Sequence, residues 1–266
     1  MSRRSTPATI TLYDSPRTGS QTWVPNIWRI RFILNYKRLP YRTVWVEFSD
    51  VEVTLRSIGA PPSSRRVDGR AVYTLPVIVD LTRNAQAPQI LSNTNNIAEY
   101  LEACYPARPV FPEGSRALQT PFVHHIQDVS CSSQSWSPLR TTDFRSAPSR
   151  ISTAPRARTP MPASSHPLPP GPQREHAWQL MKEKFDFLAL VLDKNVGDGD
   201  GIVAQGHHLL YADFALCSVL LWIEQMAPHD GWARVHVWNG GRWRGCVRNA
   251  RNIWTFSDSE FGLGHN

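Results

Sequence analysis

Thr74-Leu75-Pro76-Val77-Ile78 sets a proline at the entrance of a short apolar run. Leu91-Ser92 reads as a short second strand, followed by the polar pair Asn93-Thr94. Ile97-Ala98-Glu99-Tyr100-Leu101 then has the spacing of a helix. Proline lacks the amide donor and fixes φ, so it belongs at the edge of a strand rather than inside one. In the cis form, Pro76 would leave the N–H and C=O of Val77 free for the backbone of a ligand. A polar pair opening a helix presents unpaired N–H groups that favour a carboxylate. Leu75, Pro76 and Val77 together with Asn93 and Thr94 therefore make a layout suited to a small peptide with an anionic end.

The elements that must position these residues precede them. Ile10-Thr11-Leu12-Tyr13-Asp14 reads as an opening strand, and Trp23-Val24-Pro25-Asn26-Ile27-Trp28-Arg29 as the entrance of a first helix. Leu39 to Glu47 reads as a second strand, and Ile58-Gly59-Ala60-Pro61-Pro62 precedes the proline motif. This ordered set resembles the glutathione S-transferase family, in particular fungal members related to bacterial β-etherases. The resemblance covers residues 8–125 well and 173–255 more loosely. It implies α/β plus all-α architecture: a thioredoxin-like N-terminal domain over 8–106 and a helical-bundle C-terminal domain over 107–255.

The resemblance also implies site roles. Leu75, Pro76, Val77, Asn93 and Thr94 are expected to bind glutathione, the co-substrate. Relatives carry an acidic residue and a serine at the positions of Asn93 and Thr94; here Thr94 keeps a hydroxyl able to cap the helix. They carry a thiolate-activating serine where this chain has Val24, which has no donor. Ser20, Thr22 and Asn26 are the nearby polar groups that could substitute, so the catalytic residue is open. The implied activity is conjugation of glutathione to hydrophobic aromatic electrophiles, a detoxifying role, or thiolytic cleavage of aryl ethers. The competing class is a non-catalytic binder of glutathione and aromatic ligands, and a third is a partner-docking module. A homodimer is expected, with no metal.

Composition is that of a soluble protein of 266 residues, 41% hydrophobic, with no apolar run long enough to span a membrane. The basic N-terminus lacks the apolar segment of a secretory signal. Cys104, Cys131, Cys217 and Cys246 are scattered without a metal-ligand or disulfide spacing, so a reducing cytoplasm is expected. The formal charge of +7 raises nucleic acid as a partner, but residues 131–172 hold five arginines and one aspartate, which accounts for +4 of it. No nucleic-acid partner is expected. That same stretch holds nine prolines and nine serines, a composition that disfavours helix and packing. It interrupts the helical domain between a helix over 115–130 and another resuming at Glu175. Two origins fit: a disordered insertion, or a retained intron or frameshift in the gene model. Leu210 stands where relatives carry a Ser or Thr that pairs with Asp213 in a capping box. Trp238, Trp243 and Trp254 read as a terminal helix with inward aromatics, its Arg242, Arg244 and Arg248 facing a substrate cleft.

Overall fold

The computed structural model describes residues 9–16, 22–133, 170–195, 204 and 208–254. Most of the interrupting stretch (134–169) and the tail beyond 254 lie outside them. The first half is a mixed sheet in the order β2-β1-β5-β6, built from β1 (Ile10–Asp14), β2 (Tyr41–Trp45), β5 (Val77–Asp80) and β6 (Gln89–Ser92). The β1–β2 pair is parallel and the other two pairs are antiparallel. A small hairpin, β3 (Ser64–Arg65) and β4 (Ala71–Val72), leads into the proline motif. Around the sheet lie α1 (Pro25–Tyr36), α2 (Val51–Ser57) and α3 (Thr94–Cys104). This is the thioredoxin-like arrangement, and a helical domain follows it.

Strand alternation divides the core. Ile10, Leu12 and Ile78 face one side, in the main core with α1 and α3. Tyr13, Val44, Val77 and Ile90 face the other, packed with Val46 and with Val51 and Leu55 of α2. Pro40 delays the start of the expected second strand, so β2 begins only at Tyr41.

The helical domain comprises α4 (Ser115–Ser133), α5 (Pro172–Leu192), α6 (Tyr211–Met226), the short α7 (Ala233–Val235) and α8 (Arg242–Trp254). Helix α5 starts at Pro172, three residues before Glu175. Proline is tolerated at the first helical position, where its missing N–H would have had no partner. On α4 the buried stripe is Gln119, Val123, Ile126 and Val129, whereas Leu118 is exposed. Trp243 is fully buried and meets Phe185 at 5.1 Å. Arg242, expected to face a cleft, donates to the Ala189 carbonyl (2.7 Å) and pairs with Asp193 at the end of α5.

Helix α1 joins the two halves. Every residue from Ile27 to Asn35 is buried, because α6, α3 and α8 pack around the helix and its apolar side chains share a core with Ile10, Leu12 and Ile78 of the sheet. Phe32 stacks on Phe214 (5.7 Å), and Tyr36 meets the same ring edge-on (5.6 Å). Burying one such side chain contributes about 1.5–3 kcal/mol. The connection over 105–111 is pinned by a buried pair, Lys37 Nζ to Glu102 Oε2 at 2.6 Å. Lys37 also donates to the carbonyls of Tyr105, Ala107 and Arg108, while Glu102 accepts the N–H groups of Val110 and Phe111.

At the start of α6, Leu210 supplies no side-chain acceptor, so only half of a capping box is present. Asp213 accepts the N–H of Leu210 (2.7 Å) and of Ala204 (2.6 Å). Burial pushes its carboxyl up to about 7, against the lowering pull of those two donors. With an unfolded value of about 3.9, the native state holds a proton that the unfolded chain releases. The Asp213 contribution is therefore full below about pH 4 and declines as pH rises to about 7. Urea unfolding should show the stability advantage over Asp213→Asn shrinking between pH 5 and 7.5. An advantage that grows over that interval would contradict this assignment.

Candidate functional site

Asp14, at the end of β1, organises the entrance of α1. Its buried carboxylate accepts the Ser15 N–H (2.7 Å), the Thr22 hydroxyl (2.5 Å), and the Nε and Nη2 of Arg31 (3.0 and 2.7 Å). Arg31 in turn donates to Thr43 (2.9 Å) and lies over the Trp45 ring at 5.2 Å. Burial pushes the Asp14 carboxyl up, and Arg31, Thr22 and the Ser15 amide pull it back. Four elements are thereby tied to one charge: β1, the following loop, α1 and β2.

Val24 occupies the N-cap of α1 and gives no side-chain cap. Its carbonyl accepts the N–H groups of Ile27 and Trp28, both at 3.1 Å. Pro25 has no N–H, so Asn26 carries the first amide of the helix. Asn26 is exposed and lines a cavity of about 220 Å³ together with Thr74, Leu75, Pro76, Asn93 and Thr94. The Leu75–Pro76 peptide is cis. A larger cavity of about 1130 Å³ shares Asn26, Thr74 and Leu75 and extends past Ser15, Trp23 and Val24. Its outer rim carries Arg56, Arg66 and Arg70 with Glu52.

The structure brings most of the expected residues together and relocates some roles. Asn93 is the N-cap of α3: its Oδ1 accepts the Asn95 N–H at 3.0 Å, at a φ of 72° that asparagine tolerates better than most residues. Thr94 is already the first helical residue, so the cap expected of it belongs to Asn93. Val77 does not reach the cavity. It is fully buried and lies between Tyr13 of β1 and Ser92 of β6, while Thr74, Leu75 and Pro76 just before it line the wall. Thr22 is 2% exposed and its hydroxyl is spent on Asp14, which removes it as a donor to a ligand. Ser20 lies outside the described residues.

Sequence reasoning passed over Ser15, Asn95 and Gln127, which also line these cavities. The signal for Ser15 was its position: the residue after a first strand lies beside the start of the following helix in this topology. Asn95 accepts the Tyr211 hydroxyl (2.7 Å), which connects the start of α3 to α6. Among the described residues no cluster of three or more His, Cys, Asp or Glu side chains could hold a metal ion, and no helix is long and apolar enough to cross a membrane.

The glutathione S-transferase N-terminal domain model matches residues 23–104, and the C-terminal domain model matches 156–252. The chain belongs to the glutathione S-transferase family. Among solved structures, this transferase-family chain is similar to a glutathione transferase of Phanerochaete chrysosporium: 25% identity, TM-score 0.75, covering 93% of this chain and 98% of that one. It is also similar to a glutathione S-transferase of Ceriporiopsis subvermispora solved in complex with glutathione: 26% identity, TM-score 0.72, covering 92% and 97%. A glutathione S-transferase-like protein of Aspergillus flavus is 34% identical over 96 residues, covering 36% of this chain. That match spans about a third of the length of the curated relative.

The carboxylate at the end of β1 is open to a direct test. Asp14→Asn takes from the buried Arg31 guanidinium the carboxylate that accepts two of its hydrogen bonds and should cost about 3 kcal/mol, measured by urea unfolding. A loss below about 1 kcal/mol would mean that Arg31 is held by its other contacts, Thr43, Tyr41 and Trp45 among them, without need of the carboxylate.

Proposed function

We propose that this transferase-family protein binds glutathione along the Thr74–Pro76 edge and adds its sulfur to hydrophobic aromatic electrophiles. The observation that carries the reading is the convergence of three elements on one cavity wall: Asn26 of α1, Leu75–Pro76, and the capped start of α3 at Asn93. The N–H groups at the start of α3 suit the γ-glutamyl carboxylate. The backbone of Leu75 suits the cysteinyl unit, and the arginine-bearing rim suits the glycyl carboxylate. The larger cavity, walled by Trp23, Val24, Phe48 and Val72, then receives an apolar acceptor. Resemblance to the relatives of β-etherases extends the same chemistry to aryl ethers, and it carries the expectations of a homodimer and a cytoplasmic location.

In the reaction the glutathione thiol gives up its proton. A sulfur lone pair forms the new C–S bond, and the halide or aryloxide departs with its bonding electrons. A thiol of pKa about 8.5 is only a few per cent thiolate at pH 7, so the rate follows whatever stabilises the anion. The second reading, a binding protein without turnover, is favoured by one observation: Val24 offers no donor at the head of α1. An assay of thiol consumption with and without an aryl halide separates the two.

Two substitutions test the placement of the peptide. The Asn93 Oδ1 is spent on its own helix, so Asn93→Asp leaves a second, charged oxygen for the ligand ammonium. A charge-assisted bond is about twice as strong as a neutral one. The gain is about 1 kcal/mol, so calorimetry should show glutathione binding roughly fivefold tighter. Equal or weaker binding would remove the ammonium from this position.

Val24→Ser places a hydroxyl at the N-cap of α1. Lowering the thiol pKa by about one pH unit needs only about 1.4 kcal/mol of preference for the thiolate, within the strength of one hydrogen bond to a charged atom. Conjugation of an aryl halide at pH 7 should rise about fivefold, and its pH dependence should flatten. An unchanged rate and profile would place the sulfur away from residue 24.

A further inference from the structure

Ser15 is the odd residue in the wall of the larger cavity. It is 3% exposed, and its Oγ makes no hydrogen bond among the described residues. A buried hydroxyl without a partner is costly, and native proteins keep few of them. It also has company that gives it a purpose, since Trp23, Val24, Asn26 and Leu75 line the same cavity. Its backbone is fixed, because the Ser15 N–H donates to Asp14 Oδ1 at 2.7 Å and Asp14 is held by Arg31 and Thr22. The hydroxyl thus sits at the end of β1, beside the head of the helix that lacks a side-chain cap.

We propose that Ser15 Oγ–H donates a hydrogen bond to the sulfur of bound glutathione and holds it as the thiolate. This assignment rests on the glutathione reading above and names the group that performs the activation. A hydroxyl fixed before the ligand arrives needs little reorganisation when charge develops on the sulfur, which is where a preset donor is most effective. Its proton is uncommitted among the described residues, where the Oγ has no acceptor. The charge of Asp14, directly behind Ser15, is balanced by the guanidinium of Arg31 at 2.7 Å. The remaining titratable groups on that cavity are Glu52, Arg56, Arg66, Arg70 and Tyr73, three of them cations that favour an anion within it. Val24 and Ser15 therefore divide between them what one N-cap serine would do: Val24 packs, and Ser15 donates.

The test compares wild type, Ser15→Ala and Ser15→Gly in three measurements: glutathione affinity by calorimetry, thiol pKa of the bound tripeptide by ultraviolet titration, and aryl halide conjugation against pH. Wild type should bind glutathione with a thiol pKa below the free value. Both variants should bind within about twofold of wild type and raise the bound thiol pKa by about one pH unit. Conjugation at pH 7 should fall about fivefold, with the difference closing at high pH. Neither variant leaves a new unpartnered polar group, so both should fold at least as well as wild type. A depressed thiol pKa in wild type that both variants retain overturns the role of Ser15 and leaves glutathione binding standing. So does a wild-type bound thiol that titrates at the free value. Absence of glutathione binding by wild type overturns the functional reading itself, and this assignment with it.

Discussion

A single buried carboxylate holds the site in register. Asp14 ends β1, takes two hydrogen bonds from Arg31 of α1, and fixes both Ser15 and Thr22 in the connection between strand and helix. Burying such a charge is expensive unless every lone pair is used, and here four donors use them. Arg31 carries the constraint onward to Thr43 and the Trp45 ring on β2. The head of α1, which has no side-chain cap of its own, owes its placement to this cluster. A hydrophobic pair at the same positions could be as stable, but it would not fix an amide and a hydroxyl beside the cavity.

The same logic recurs where the two domains meet. Glu102 and Lys37 form the second buried ion pair, and between them they satisfy three carbonyls and two amides of the connecting chain. Gln119 of α4 bridges from the Val110 carbonyl to the Ala212 amide at the start of α6. These polar contacts set the angle at which α6 packs against α1 through Phe214. Hence the α3 start, tied to α6 by Asn95 and Tyr211, faces Asn26 and Leu75 across a cavity of the size of a small peptide.

Much of the fold was legible in the chain. Proline at a strand entrance and asparagine before a helical run are local chemical signals, readable without knowledge of partners, and they place Leu75, Pro76 and Asn93. The failures have a common cause. Val77 was expected at the ligand beside Leu75 and Pro76 because the sequence does not reveal that β5 lies between two strands, which take both of its edges. Thr22 was a candidate donor because nothing local shows that Asp14, eight residues earlier, claims its hydroxyl. Ser15 went unremarked because a serine becomes notable only when its surroundings leave it buried without a partner among the described residues. Leu118 shows the same limit in the helical domain: helical spacing was readable, but which face of α4 meets the core depends on α5 and α6, and Leu118 is left exposed.

The central claim is spatial: glutathione lies with its γ-glutamyl end at the start of α3 and its sulfur between Ser15 and the head of α1. A crystal structure of the protein soaked with glutathione tests this most directly. The account predicts electron density for the γ-glutamyl carboxylate at the amides following Asn93, the cysteinyl backbone beside Leu75, and the sulfur within hydrogen-bonding distance of Ser15 Oγ. Glutathione bound elsewhere, or in this cavity with its sulfur turned away from β1 and α1, would contradict it.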